Sequence, residues 1–172
     1  MIHPIEMESY RILETRVDLS HLGSRSRAVV ERVIHASADH RVVDDHRRRV
    51  LRVGAGVQAV RAGAPVVCDV EMVRSGIHGV ATECCLADNA SADPGGPTRA
   101  ALGMRAAAGA HPTGAIVVVG CAPTALEEAL DLAAGGVFEP ALVIGMPVGF
   151  VGAAESKARL RASGLPAISN IG

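Results

Sequence analysis

Three short stretches of this 172-residue chain carry side chains able to do chemistry. The first is Arg32-Val-Ile-His35-Ala-Ser-Ala-Asp39. At 3.6 residues per turn, Val29, Val30, Val33 and Ile34 share one helix face, which leaves Arg32, His35 and Asp39 on the other. An imidazole in that setting can take up and release a proton near neutral pH, with the carboxylate one turn on setting its tautomer. The plain alternative is a solvated histidine on a polar helix face, and spacing leaves it standing. The second stretch is Thr98-Arg99, after a Gly/Pro loop and before an Ala-rich helical run. A guanidinium fork there can hold a carboxylate through two parallel hydrogen bonds, or simply meet solvent. The third is Gly120-Cys-Ala-Pro-Thr124, with Cys121 in a strand-to-helix turn. A nucleophile elbow has glycine on both sides, and the second is missing here. A small buried hydrophobe is therefore the preferred reading of Cys121.

Two other constellations fail on context. Cys68, His78, Cys84 and Cys85 match no paired-ligand spacing for zinc, and adjacent cysteines rarely chelate one ion together, so no metal site is expected. Gly54-Ala-Gly56-Val-Gln-Ala59 imitates a dinucleotide fingerprint but follows the Arg-rich run 47–52 rather than a buried strand. The four cysteines form no disulfide framework, the start of the chain has no apolar signal core, and no apolar run approaches the ~20 residues needed to span a bilayer. Reduced thiols in the cytosol, with no membrane partner, are expected.

The elements that must position these residues are visible as composition. The chain is 49% apolar, with two Phe, one Tyr and no Trp, so its core is built from small branched side chains. With few stacking rings and a formal charge of −1, no nucleic-acid partner is expected. Residues 1–20 read as a short helix or arm, and Ser24 as the N-cap of a helix running to about Ala38. An Arg-rich helix is expected over 41–62 and a loop over 86–97. Buried strands are expected at 64–69, 115–120, 141–145 and from 166, with helices at 122–134 and 152–162 between the last three. That alternation predicts one domain over 1–172 with a parallel α/β sheet. Its carboxyl rim carries Asp69, Glu71 and the turns 120–124 and 145–149, where helix N-termini offer amides to anionic groups.

Several stretches together resemble the precorrin-8X methylmutase (precorrin isomerase) family and its cobalt-precorrin-8 counterpart. They are Pro4-Ile-Glu-Met-Glu-Ser9-Tyr-Arg-Ile-Leu13, Arg32-Val-Ile-His35-Ala, Ala62–Val73, Thr98-Arg99, Gly120–Leu126 and Gly145-Met-Pro-Val-Gly-Phe-Val-Gly-Ala-Ala-Glu-Ser-Lys157. The resemblance implies a three-layer α/β/α flavodoxin-like fold, a homodimer and a cofactor-free isomerisation. In that reaction a methyl group moves from C-11 to C-12 of a tetrapyrrole, giving hydrogenobyrinate or cobyrinate. It also implies that His35 is the catalytic proton donor and acceptor, and that Ser9, Arg32, Thr98 and Arg99 contact the substrate. Departures are Cys121 where the family has Asn, Ala100 where it has Ser, and the expected lack of a closing C-terminal loop and helix. A tetrapyrrole-binding relative without turnover, and a thiol hydrolase using Cys121, are the competing expectations.

Overall fold

A computed structural model describes residues 3–39, 52–86 and 95–171. They belong to two compact units, Met1–Arg49 and Val50–Gly172.

The first unit is a helical pair. Helix α1, Pro4–Arg16, starts with proline in its first turn, where the missing N–H costs nothing, and His3 caps it by accepting from the Ile5 amide at 3.3 Å. Helix α2 spans Ser24–Ser37. Its N-cap is Gly23, whose extended backbone presents its carbonyl to the Arg27 amide at 2.9 Å. Ser24, the expected cap, is instead the first helical residue. The apolar stripe behaves as periodicity requires: Val30 and Ile34 are buried, and the two helices pack with Leu13 and Leu19 inside.

The second unit contains helix α3 (Val53–Arg61), strand β1 (Val66–Cys68), helix α4 (Glu71–Gly76) and strand β2 (Thr82–Cys84). Helix α5 (Arg99–Ala110), β3 (Ile116–Val119), α6 (Pro123–Ala134), β4 (Leu142–Gly145), α7 (Ala153–Ala162) and β5 (Ala167–Ser169) follow. All strand pairs are parallel and the order is β2-β1-β3-β4-β5, the flavodoxin-like arrangement with its switch point between β1 and β3. Val67, Val117, Val119 and Val143 meet Met104, Leu126, Leu130 and Leu160 in one core beneath α5, α6 and α7. The opposite face, with Ile116, Leu142, Ile144 and Ile168, lines an apolar groove against α3. An ion pair between Arg105 and Glu128 at 2.7 Å ties α5 to α6.

The helix expected over 41–62 is met by α3 in its second part; residues 40–51 lie outside the described set, as do 87–94 of the expected loop. Helix α4 and edge strand β2 were not anticipated. Thr-Glu-Cys is too short and too polar for periodicity to mark it, and it is half-buried or exposed throughout. No described helix is long and apolar enough to cross a membrane.

Candidate active site

In the helical pair, the polar side chains of α1 and α2 converge on His35. Ser9 Oγ lies 2.8 Å from His35 Nδ1. The Tyr10 ring stacks on the imidazole with centroids 5.1 Å apart and planes 14° from parallel. The Arg32 guanidinium carbon sits 5.8 Å from the Tyr10 centroid and donates from Nη2 to Glu6 Oε1 at 2.8 Å. The result is a continuous run, Glu6–Arg32–Tyr10–His35–Ser9, across two helices.

This arrangement constrains the imidazole on one nitrogen and one face. Ser9 engages Nδ1 and leaves Nε2 to other partners. The group found at Nδ1 is Ser9, whose hydroxyl can donate or accept according to the tautomer. Spacing also missed Tyr10 and Glu6. The signal was present, since residues 6, 9 and 10 are three and four apart and share a helix face, but nothing local ties that face to His35. Ser9 and His35 help line a cleft of about 120 Å³ with Ile12, Leu13, Arg16, Val17, Ile34 and Ala38. Ligand pockets usually hold roughly 300–1,000 Å³. At that size the cleft has room for one edge of a large ligand and not for all of it.

Arg32 keeps donors to spare. Glu6 uses part of its five-hydrogen fork, and its side chain is 60% exposed, so an acidic group can be taken from solvent.

Thr98 and Arg99 lie in the second unit, at the start of α5. Thr98 is the N-cap: its Oγ1 accepts from the Ala101 amide at 3.2 Å and shares a 2.7 Å hydrogen bond with Thr124 Oγ1. Arg99 is exposed in the first helical turn. Thr98 therefore has a structural duty whatever else it does.

The rim turn 120–124 is not the open anion site that its composition suggests. Asp69, fully buried just after β1, fills it. Its Oδ1 accepts from the Gly120 amide at 3.2 Å, and its Oδ2 from Cys121 and Ala122 at 2.8 and 2.7 Å. The anion favoured by these amides is the protein's own carboxylate, which clamps β1 to the start of α6. Cys121 supplies a backbone N–H to this clamp.

The remaining cysteines gather at the β1–β2 end. Cys68 and Cys84 face one another in register, and the Cys85 amide donates to the Cys68 carbonyl at 2.9 Å. Burial pushes the thiols of Cys68 and Cys85 up to about 12, helped by the neighbouring thiols and by Asp69. Such thiols stay protonated and are poor nucleophiles at neutral pH. Among the described residues, no group of three or more His, Cys, Asp and Glu side chains is arranged to hold a metal.

The second unit is an α/β protein with a flavodoxin-ordered parallel sheet, and the helical unit holds a histidine on one nitrogen and one ring face. Comparison with known proteins makes the class specific. The family model described as precorrin-8X methylmutase matches residues 4–172. The cobalt-precorrin-8 methylmutase of Priestia megaterium is 36% identical, over 98% of this chain and 79% of that protein. The precorrin-8X methylmutase of Pseudomonas aeruginosa is also 36% identical, over 92% of this chain and 80% of that protein. The crystal structure of precorrin-8X methylmutase from Thermus thermophilus superposes with a TM-score of 0.80 at 33% identity, covering 98% of this chain and 85% of the other. The chain belongs to the precorrin-8X methylmutase family, isomerases of cobalamin biosynthesis.

Proposed function

We propose that this chain moves a methyl group from C-11 to C-12 of precorrin-8X or cobalt-precorrin-8, giving hydrogenobyrinate or cobyrinate, with His35 as the proton donor and acceptor. The observation that carries the reading is His35 held by Ser9 at 2.8 Å and by the stacked Tyr10 ring at the wall of a cleft.

In the imidazolium, Nδ1–H donates to Ser9 Oγ and Nε2–H is the proton to deliver. After delivery, the neutral Nδ1–H tautomer keeps the same hydrogen bond, so the ring need not turn between the two states. Protonation of the macrocycle assists the shift. The C-11–methyl bond breaks as the C-12–methyl bond forms, and a proton returns to Nε2, so the product is an isomer of the substrate. No external nucleophile enters the step. The protein has only to hold the ring and favour its protonated form.

A tetrapyrrole edged with carboxylates matches Arg32 and Arg99, whose guanidinium forks suit acidic groups. Thr98 stands beside Arg99 and contributes its hydroxyl as far as capping allows. The cleft beside His35 is too small for the whole ring, which supports a homodimer in which a second copy helps to enclose the substrate. With a biosynthetic small-molecule substrate and reduced thiols, the cytosol is the proposed location.

The test is incubation with metal-free and cobalt-loaded precorrin-8, followed by visible spectra and mass analysis. The expected result is a changed chromophore at unchanged mass, and the preferred substrate decides the metal question. His35→Ala should fold, bind product and turn over ~10²–10⁴-fold more slowly. Undiminished turnover in that variant would overturn the assignment. Native protein that binds both compounds and converts neither would be a tetrapyrrole-binding relative instead.

A further inference from the structure

The connection from β4 to α7, residues 146–152, holds apolar side chains out into solvent. Val148 is 64% exposed, Val151 87% and Phe150 fully exposed at 109%. The chain has only two phenylalanines, and the other, Phe138, is buried at 3%. Placing Phe150 outside the core of so aromatic-poor a protein forfeits its burial, which calls for something to cover it.

The segment is anchored at both ends. The Met146 amide donates to the Val119 carbonyl at 2.9 Å and Pro147 is fully buried. At the far end the Gly152 carbonyl accepts from the Ser156 amide at 2.9 Å, opening α7. Gly149 and Gly152, with φ of 132° and 78°, adopt conformations that L side chains avoid. Between these two turns Phe150 and Val151 point away from the domain. The tip is a braced apolar projection rather than a slack loop.

Its size and position select the occupant. Three such side chains present on the order of 400 Å², about half of the ~800 Å² per partner that a stable protein interface buries. The tip alone is too small to hold a dimer, whereas one face of a flat macrocycle would cover it. It also stands beyond the carboxyl end of β4, one strand from the β1–β3 switch point at which ligands of doubly wound sheets gather. The neighbouring turn after β3 has its amides closed by Asp69 and offers no competing anion site.

We propose that Phe150, flanked by Val148 and Val151, is an apolar platform against which one face of the tetrapyrrole ring lies. The inference rests on the proposed function, since it takes the ring as substrate. A contact with the face of the ring is present in the ground state and the transition state alike, so its loss raises KM and leaves kcat nearly unchanged.

The experiment titrates hydrogenobyrinate, followed by its visible absorbance, into native protein, Phe150→Ala and Phe150→Trp. Phe150→Ala should bind about 10- to 100-fold more weakly with near-native kcat, and Phe150→Trp should restore affinity. Because the chain has no tryptophan of its own, the introduced indole reports the site directly, and its emission should be quenched saturably by the product. Native affinity in Phe150→Ala, or an indole silent while absorbance reports binding, overturns the proposal. So does Phe150→Ala of native affinity but altered sedimentation, which would assign the tip to a second copy of the chain. Should Phe150→Ala fold poorly, the indole titration decides alone. Native protein that neither binds nor converts the ring would bring down the proposed function itself, a failure seen before any variant is compared.

Discussion

Replacing Asp69 by Asn tests whether the rim turn is a structural clamp or a ligand site. The carboxylate is fully buried and accepts three backbone amides, one on Oδ1 and two on Oδ2. Asparagine keeps one acceptor and turns an NH₂ group towards the two amides that Oδ2 had satisfied. Hydrogen bonds to a charged group contribute about 1.5–3 kcal/mol each net, so losing two removes about 3–6 kcal/mol. That is a large part of the roughly 5–15 kcal/mol by which a domain is stable. For a chain of this length 1 kcal/mol moves Tm by about 2–4 °C, and the expected fall is about 10–20 °C. Calorimetry or circular dichroism melts of native protein and Asp69→Asn at neutral pH measure it. Product affinity, measured in the cold where the variant remains folded, should be near native, because these amides serve Asp69 and not the substrate. A Tm within about 2 °C of native refutes the clamp. Native Tm with lost product binding would make the turn a ligand site after all.

Ser9→Ala removes the hydroxyl that holds His35 Nδ1 at 2.8 Å. It should lower kcat about tenfold to a hundredfold with KM little changed, and steady-state kinetics would show it; equal losses in a variant that also melts early would point to packing instead. The thiols of Cys68 and Cys85 ionise near 9 when unfolded but are pushed to about 12 in the fold by burial. Between those values the unfolded chain holds fewer protons, so their contribution is complete below about pH 9 and is lost as pH rises towards 12. Urea midpoints should fall over that range, and less steeply in Cys85→Ala; identical slopes would contradict the assignment. A Cβ on Gly145 would clash with Leu160 Cδ2 and lie 3.1 Å from Leu126 Cδ2. Gly145→Ala should therefore lose about 1–3 kcal/mol through overpacking beneath α6 and α7, read as a lower melting temperature; unchanged stability would mean that these leucines can move aside.

Whatever depended on local repetition could be read from the chain itself. Ile116–Val119 and Leu142–Gly145 are short apolar runs, α6 between them begins at Pro123 and stops at Gly135, and these signals alone imply parallel strands with a crossover. The stripe of Val30 and Ile34 likewise marked the buried side of α2 and so the side on which His35 is available. Tertiary structure decided which groups surround that histidine. Ser9, 26 residues away, meets its ring, where spacing favoured Asp39 because only near neighbours can be judged by spacing. Asp69 reaches amides 51 to 53 residues further on and occupies a turn whose composition reads as an open anion site. Periodicity records which face of an element is buried, but not which distant side chain arrives there. Hydrogen bonds between remote segments depend on how elements pack, and packing leaves no repeating mark in either partner's sequence.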